Sequence, residues 1–166
     1  MSLIDWLWST DPLVAIQQAL GPAWIGLGKA ISLLGDTQVV AALVALALWL
    51  RGRHLAYGLL GIALLGSTLN FLIGRLVDLP RPQDPRLMVH ARVSLWSFPS
   101  GHTEAATTMW GSLAAVRQIP RLVAVLIVPA VMFSRLYLGA HFVGDVLGGL
   151  LLGLAMVLVY LQLWPH

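Results

Sequence analysis

"LAYGLLGIALLGSTLNFLIG", Leu55 to Gly74, contains no charged residue. A membrane-spanning helix needs about 20 consecutive, mostly apolar residues, so this stretch already places the chain in a bilayer. "FVGDVLGGLLLGLAMVLVYLQLW" (142–164) is a second run of the same kind. "TQVVAALVALALWL" (37–50) and "LVAVLIVPAVMF" (122–133) reach spanning length when flanking residues join them. Pro129 inside the latter is tolerated, because neighbouring groups in a membrane bundle satisfy the carbonyl that proline leaves free. The segment from Gly101 to Val116 is rich in Ala and Thr and suits a membrane only between other helices.

Composition agrees. The 166 residues are 58% hydrophobic and 10% charged, against about a quarter charged in soluble domains. The expected fold is an all-α integral membrane bundle, a single domain over 1–166. Residues 36–166 form a core of five spanning helices. Residues 1–35 are broken by Pro22 and several glycines and carry Trp6, Trp8 and Trp24. Those tryptophans suit the water–lipid interface, so this region reads as interfacial helices, with a sixth span as the alternative. The start "MSLIDWLWSTDPL" has an acid and no base and does not read as a secretory signal peptide. The chain has no cysteine, which removes disulfides, thiol nucleophiles and thiolate metal sites. Its net charge is +3 with no Lys/Arg run, so no nucleic-acid partner is expected.

Alternating five spans puts "RGRH" (51–54) and "RQIPR" (117–121) on one face, with Arg51, Arg53, Arg117 and Arg121 and no acid. The positive-inside rule makes that face cytoplasmic. Gly144 and Gly148, then Gly149 and Gly153, recur at a spacing of four residues that lets membrane helices approach closely.

The remaining polar residues gather at the opposite ends of the spans. "GRLVDLPRPQ" holds Arg75 and Arg81-Pro82, "PSGH" holds Ser100, Gly101 and His102, and "SRLYLGAHFVGD" holds Arg135, His141 and Asp145. Ionisable groups at membrane depth are costly and tend to be functional. His141 and Asp145 are four apart and share one face of a helix. A carboxylate there can hold one imidazole nitrogen and leave the other to react, although a helix-start aspartate beside an interfacial histidine is the plain alternative. Ser100 and Gly101 stand where a helix begins, and free N–H groups there form an anion site. Arg81 and Arg135, with Arg75, can grip phosphate oxygens. Arg86 and Arg92 read as snorkelling interfacial residues, Glu104 as a first-turn carboxylate favoured by the helix dipole, and His90 as an exposed loop histidine. Two histidines, an aspartate, a helix start and arginines make a phosphate-transfer site, in which one histidine attacks phosphorus and the other protonates the departing oxygen.

These clusters resemble the type-2 phosphatidic acid phosphatase family, membrane lipid phosphatases that share a fold core with vanadium haloperoxidases. The family pattern is Lys, six residues, Arg-Pro; then Pro-Ser-Gly-His; then Ser-Arg, five residues, His, three residues, Asp. The second and third motifs match in full. In the first, Arg81-Pro82 match, but the lysine position falls on Gly74; Arg75, one residue away, is taken as the cation, and a register through "NFLIGR" puts Asn70 there instead.

The resemblance implies that His141 is the nucleophile forming a phosphohistidine, Asp145 orients it and His102 is the general acid. It also implies that Arg81, Ser100, Gly101 and Arg135 bind phosphate, and that neither metal nor cofactor takes part. The absence of a His-Glu-x-x-His spacing agrees. The expected activity is hydrolysis of a lipid phosphate or diphosphate on the extracytoplasmic face of a plasma membrane. Undecaprenyl diphosphate, phosphatidylglycerophosphate and phosphatidate are the candidate substrates, with an isoprenyl diphosphate preferred. A phosphotransferase using the same phosphohistidine is the alternative. A transporter is disfavoured because the charges gather at one face rather than along a path through the midplane. A haloperoxidase is disfavoured because those proteins are soluble.

Overall fold

The computed structural model describes residues 2–91 and 96–164. Among these the regular structure is entirely helical. Three short helices open the chain: α1 (Leu3–Leu7), α2 (Asp11–Leu20) and α3 (Ile25–Ser32). Five longer ones follow: α4 (Thr37–Arg51), α5 (Arg53–Val77), α6 (Gly101–Ala115), α7 (Arg121–Tyr137) and α8 (Val143–Leu163).

The core helix is the least apolar of the five. Helix α6 packs against α8, α7 and α5, and its Thr103, Thr107, Thr108 and Ser112 are buried. Burying hydroxyls is tolerated only when they are hydrogen-bonded. Thr107 Oγ1 donates to the Thr103 carbonyl and Thr108 Oγ1 to Glu104 Oε1, both at 2.7 Å. The large apolar side chains point the other way: Leu64, Phe71 and Leu76 of α5 and Leu151, Leu158 and Leu163 of α8 are exposed. An exposed apolar surface of that extent marks a membrane interaction face.

Close approach of α8 to α6 depends on the four-spaced glycines. A Cβ at Gly149 would lie 2.5 Å from the Ser100 carbonyl oxygen, and one at Gly153 2.5 Å from Thr107 Cβ. Gly144 packs instead against Trp8 and Gly148 against Phe98, so α8 uses glycine on both sides.

Helices α5 (25 residues) and α8 (21 residues) are long and apolar enough to cross a membrane, and the stretches Pro22–Gly35 and Thr37–Arg51 pass together across a 49° bend. Thus two, or three, of the five expected spans qualify by length and composition. The reason is geometric. At about 1.5 Å per residue, α6 with 15 residues and α7 with 17 fall short of a hydrocarbon core of about 30 Å. The N-terminal region is not a sixth continuous span; Pro22 and Gly21 separate α2 from α3.

This region has a structural task that the sequence does not announce. The buried Gln17 of α2 donates from Nε2 to the carbonyls of Met88 and Tyr137, both at 2.8 Å, and accepts from the Met88 N–H at 3.0 Å. One amide thus ties α2, the 78–91 loop and the end of α7 together. Thr10 Oγ1 donates to Asp84 at 2.6 Å. Arg86 is not a snorkelling residue but pairs with Asp84 at 2.7 Å and Asp11 at 3.0 Å. Hydrogen bonds from Arg86, then Thr10, hold the Asp84 carboxyl well below the usual carboxylate range. His90 is half-buried rather than exposed, and its N–H donates to the Leu138 carbonyl at 3.0 Å. Arg92 lies outside the described residues.

Candidate active site

The starts of α4, α6 and α8 and the ends of α5 and α7 meet around one cavity of about 220 Å³. Arg81, Gly101, His102 and His141 line it, together with Asn70 of α5 and Glu104 of α6. Three clusters far apart in sequence are therefore one site in space.

His141 sits in the turn between α7 and α8 and is 2% exposed. Its Nδ1 faces Asp145 Oδ2 at 3.5 Å, a long contact of the kind that tightens when substrate binds. Asp145 is itself fixed: Oδ2 accepts from the Phe142 N–H at 2.8 Å and from the Ser97 hydroxyl. With Nδ1 committed to Asp145, Nε2 is the nitrogen left for a substrate. Burial pushes the His141 imidazole down to about 4, helped by the charges of Arg81 and Arg135 and opposed by Asp145. It is therefore neutral, with its lone pair available, at ordinary pH.

The sign of the linkage follows. A histidine in the unfolded chain takes its proton near pH 6.5, and His141 in the fold only near 4. Acidification across that window favours the unfolded state. Nitrogen-15 NMR of the imidazoles should find His141 neutral at pH 5; a midpoint at or above 6.5 would contradict this environment.

Arg81 lines the cavity, and Arg135 is buried behind it, outside the lining. Arg81 Nη1 donates to the Ala140 carbonyl at 2.7 Å, beside His141. Burial lowers the Arg81 pKa, with the nearby Asp145 charge opposing the shift; an arginine so placed stays cationic. Arg135 is 2% exposed and donates from Nη1 to Ser32 Oγ at 2.7 Å. Its Nε and Nη2 are buried without a partner among the described residues. Unsatisfied buried donors of a cation demand an explanation, and the oxygens of a bound phosphate supply one.

Helix α6 begins as the Pro-Ser-Gly-His turn predicts. Its first ladder bond runs from the Glu104 N–H to the Ser100 carbonyl at 3.0 Å, so the N–H groups of Gly101, His102 and Thr103 precede the ladder and suit an anion. Gly101 faces the cavity; a Cβ there would meet nothing nearer than Asn70 Oδ1 at 3.6 Å, so the glycine leaves room for a ligand. Ser100 plays a different part from the expected one. It is fully buried, its N–H donates to the Asp145 carbonyl at 3.0 Å, and its Oγ accepts from Thr103 at 3.1 Å. Its N–H bond joins the start of α6 to α8.

A family model described as the PAP2 superfamily matches residues 54–166. The chain belongs to the PAP2 superfamily. It is 32% identical over 148 residues to decaprenylphosphoryl-5-phosphoribose phosphatase of Mycobacterium tuberculosis, covering 85% of this chain and 82% of that protein. It is 32% identical over 136 residues to undecaprenyl-diphosphatase BcrC of Bacillus subtilis, covering 75% and 67%. Its fold matches the crystal structure of a transmembrane PAP2-type phosphatidylglycerolphosphate phosphatase from Bacillus subtilis with a TM-score of 0.79 at 26% identity, covering 92% of this chain and 84% of that one.

In this PAP2 protein several site residues were silent in the sequence. Asp36 caps α4, accepting from the Gln38 N–H at 2.9 Å, and its second oxygen lies 3.6 Å from His102 Nε2. Each histidine thus has its own aspartate, but only the His141 pair is visible as a four-residue spacing. Ser97 and Ser32 hold Asp145 and Arg135 from elsewhere in the chain. Arg75 is on the exposed surface of the last turn of α5, while Asn70, one turn earlier on the face of the buried Gly74, lines the cavity. Glu104 is in the first turn of α6 as expected, and it is 2% exposed, in the cavity wall.

Proposed function

We propose that this PAP2 member is a lipid phosphatase working through a phosphohistidine on His141. His141 Nε2 attacks phosphorus. The P–O bond to the leaving alcohol breaks, its electron pair stays on that oxygen, and His102 supplies the proton. Water then attacks the phosphohistidine, gives its proton to His102 and cleaves the P–N bond, releasing phosphate and free His141. Arg81, Arg135 and the N-terminal N–H groups of α6, with Gly101 leaving them accessible, hold the phosphoryl oxygens as charge shifts. Ser100 keeps the α6 start in register with Asp145.

The observation that carries this reading is the pair of His–Asp couples, His141–Asp145 at 3.5 Å and His102–Asp36 at 3.6 Å, on one cavity lined by Arg81. The names of relatives support a lipid-linked phosphate monoester or diphosphate as substrate.

The test is phosphate release by purified protein from a panel of lipid phosphates and diphosphates, with and without an acceptor alcohol. Acid-labile, base-stable labelling from a radiolabelled phosphate should appear on wild type and be absent from His141→Ala. Activity without such labelling under rapid quench would refute the covalent route, and transfer to the alcohol in preference to water would identify a phosphotransferase.

We also propose that the site faces away from the cytoplasm. Arg51, Arg53, Arg117 and Arg121 are exposed at the opposite helix ends, where the positive-inside rule puts the cytoplasm. In intact cells a membrane-impermeant thiol reagent should label Gln83→Cys and spare Arg53→Cys. The reverse pattern would invert the topology.

A further inference from the structure

The cavity has two chemically different walls. Arg81, Gly101 and His141 form one. Thr37, Ser67, Asn70 and Glu104, from α4, α5 and α6, form the other, which carries hydroxyls, an amide and a carboxyl and no cation. A second, smaller cavity of about 30 Å³ shares Thr37, Ser67 and Glu104 with it and is closed by Thr108 and by the apolar Val40, Ala63 and Ala105. Glu104 Oε1 accepts from Thr108 at 2.7 Å, and no ion pair involves Glu104 among the described residues. The phosphohistidine chemistry of the arginine wall makes no use of it.

Electrostatics assigns the two walls. A phosphoryl group belongs with Arg81, whose guanidinium can bind its oxygens, because Thr37, Ser67, Asn70 and Glu104 offer it no cation. The polar wall adjoins the general acid rather than the nucleophile: Thr37 follows Asp36, the partner of His102, and Glu104 is two residues beyond His102. It is also the open side, since Thr37 and Ser67 are exposed while His141 is buried. A leaving group whose oxygen takes a proton from His102 must therefore extend along this wall. An alkyl chain there would strand buried polar groups. The second phosphate of an isoprenyl diphosphate, bonded directly to the departing oxygen, would meet no cation on this wall, whereas the phosphodiester of a glycerol or sugar lipid lies several atoms farther out. Neutral hydroxyls satisfy the wall, because they donate to a carboxyl and accept from an amide.

We propose that Glu104, Asn70, Ser67 and Thr37 form a specificity subsite for a leaving group that carries free hydroxyls of its own, so that the preferred substrate is a lipid whose phosphate esterifies a sugar, or a glycerol unit that keeps a further free hydroxyl. This rests on the phosphatase reading above and reverses the preference for an isoprenyl diphosphate drawn from sequence.

The experiment compares three lipids with the purified protein in mixed micelles. Phosphatidylglycerophosphate and a polyprenylphosphoryl ribose phosphate release alcohols carrying further hydroxyls. Phosphatidate releases one that carries none, and the ester is otherwise of the same class. Wild type should favour at least one hydroxylated substrate over phosphatidate in kcat/KM, and which one distinguishes glycerol from sugar. In Glu104→Ala that ratio should fall by about 10- to 100-fold, the range expected when a hydrogen bond to a charged or buried group is lost. Ser67→Ala, on a different helix, should move the ratio in the same direction by less, which keeps the test sound if Glu104→Ala folds poorly. Ratios unchanged in both variants, or a wild-type preference for phosphatidate, would overturn the subsite while leaving the phosphatase reading intact. No phosphate release from any of the three or from a diphosphate would overturn both.

Discussion

His141→Ala should release no phosphate from either a lipid monophosphate or a nitrophenyl phosphate, while His102→Ala should separate the two. The nucleophile is needed whatever departs. The acid matters in proportion to the basicity of the leaving oxygen, so an alkoxide needs it and a nitrophenolate hardly does. On the lipid, His102→Ala should lose roughly 10²- to 10⁴-fold, the range typical of general acid catalysis, and markedly less on the activated ester. Asp145→Asn should impair both substrates alike, because its Oδ2 faces the Nδ1 of His141. Asp36→Asn should follow the His102 pattern in weaker form, because its contact is with His102 Nε2. Rescue of His141→Ala but not of His102→Ala by the activated ester would exchange the two roles.

Arg135→Lys should lower kcat/KM on the lipid by about 10²- to 10³-fold, the scale of losing one preorganised donor to transition-state charge. The guanidinium already spends Nη1 on Ser32, with Nε and Nη2 left buried and without a partner among the described residues. A lysine keeps the charge but has one nitrogen on a flexible stem, and it cannot reach both Ser32 and a phosphate in a planar fork. Inhibition by vanadate, a phosphate mimic, should weaken in parallel. A loss under tenfold with unchanged vanadate inhibition would make Arg135 a structural residue that anchors α7 to Ser32.

Much of the molecule was legible in the order of residues. Long apolar runs such as 55–74 and 142–164, the latter with Asp145 as its one charged residue, read as membrane helices because composition and length suffice for that inference. The glycine spacing on α8 foretold a close packing seam, since four residues bring side chains to one helix face. The His141–Asp145 pair and the Pro-Ser-Gly-His helix start are local motifs; α6 does begin at Gly101, whereas His141 reaches Asp145 from the turn before α8 rather than from one face of a helix. What tertiary structure alone decided lies between distant segments. Asp36 reaches His102, Ser97 reaches Asp145 and Ser32 reaches Arg135, and no periodicity connects residues separated by tens of positions. The choice between Arg75 and Asn70 also waited on the fold: the two are five apart, and only the packing of α5 shows which face looks into the cavity. The burial of Glu104 waited on the fold for the same reason. A carboxylate in a first helical turn is ordinarily solvated, and only the placement of α6 at the centre of the bundle turns it into a buried wall of the site.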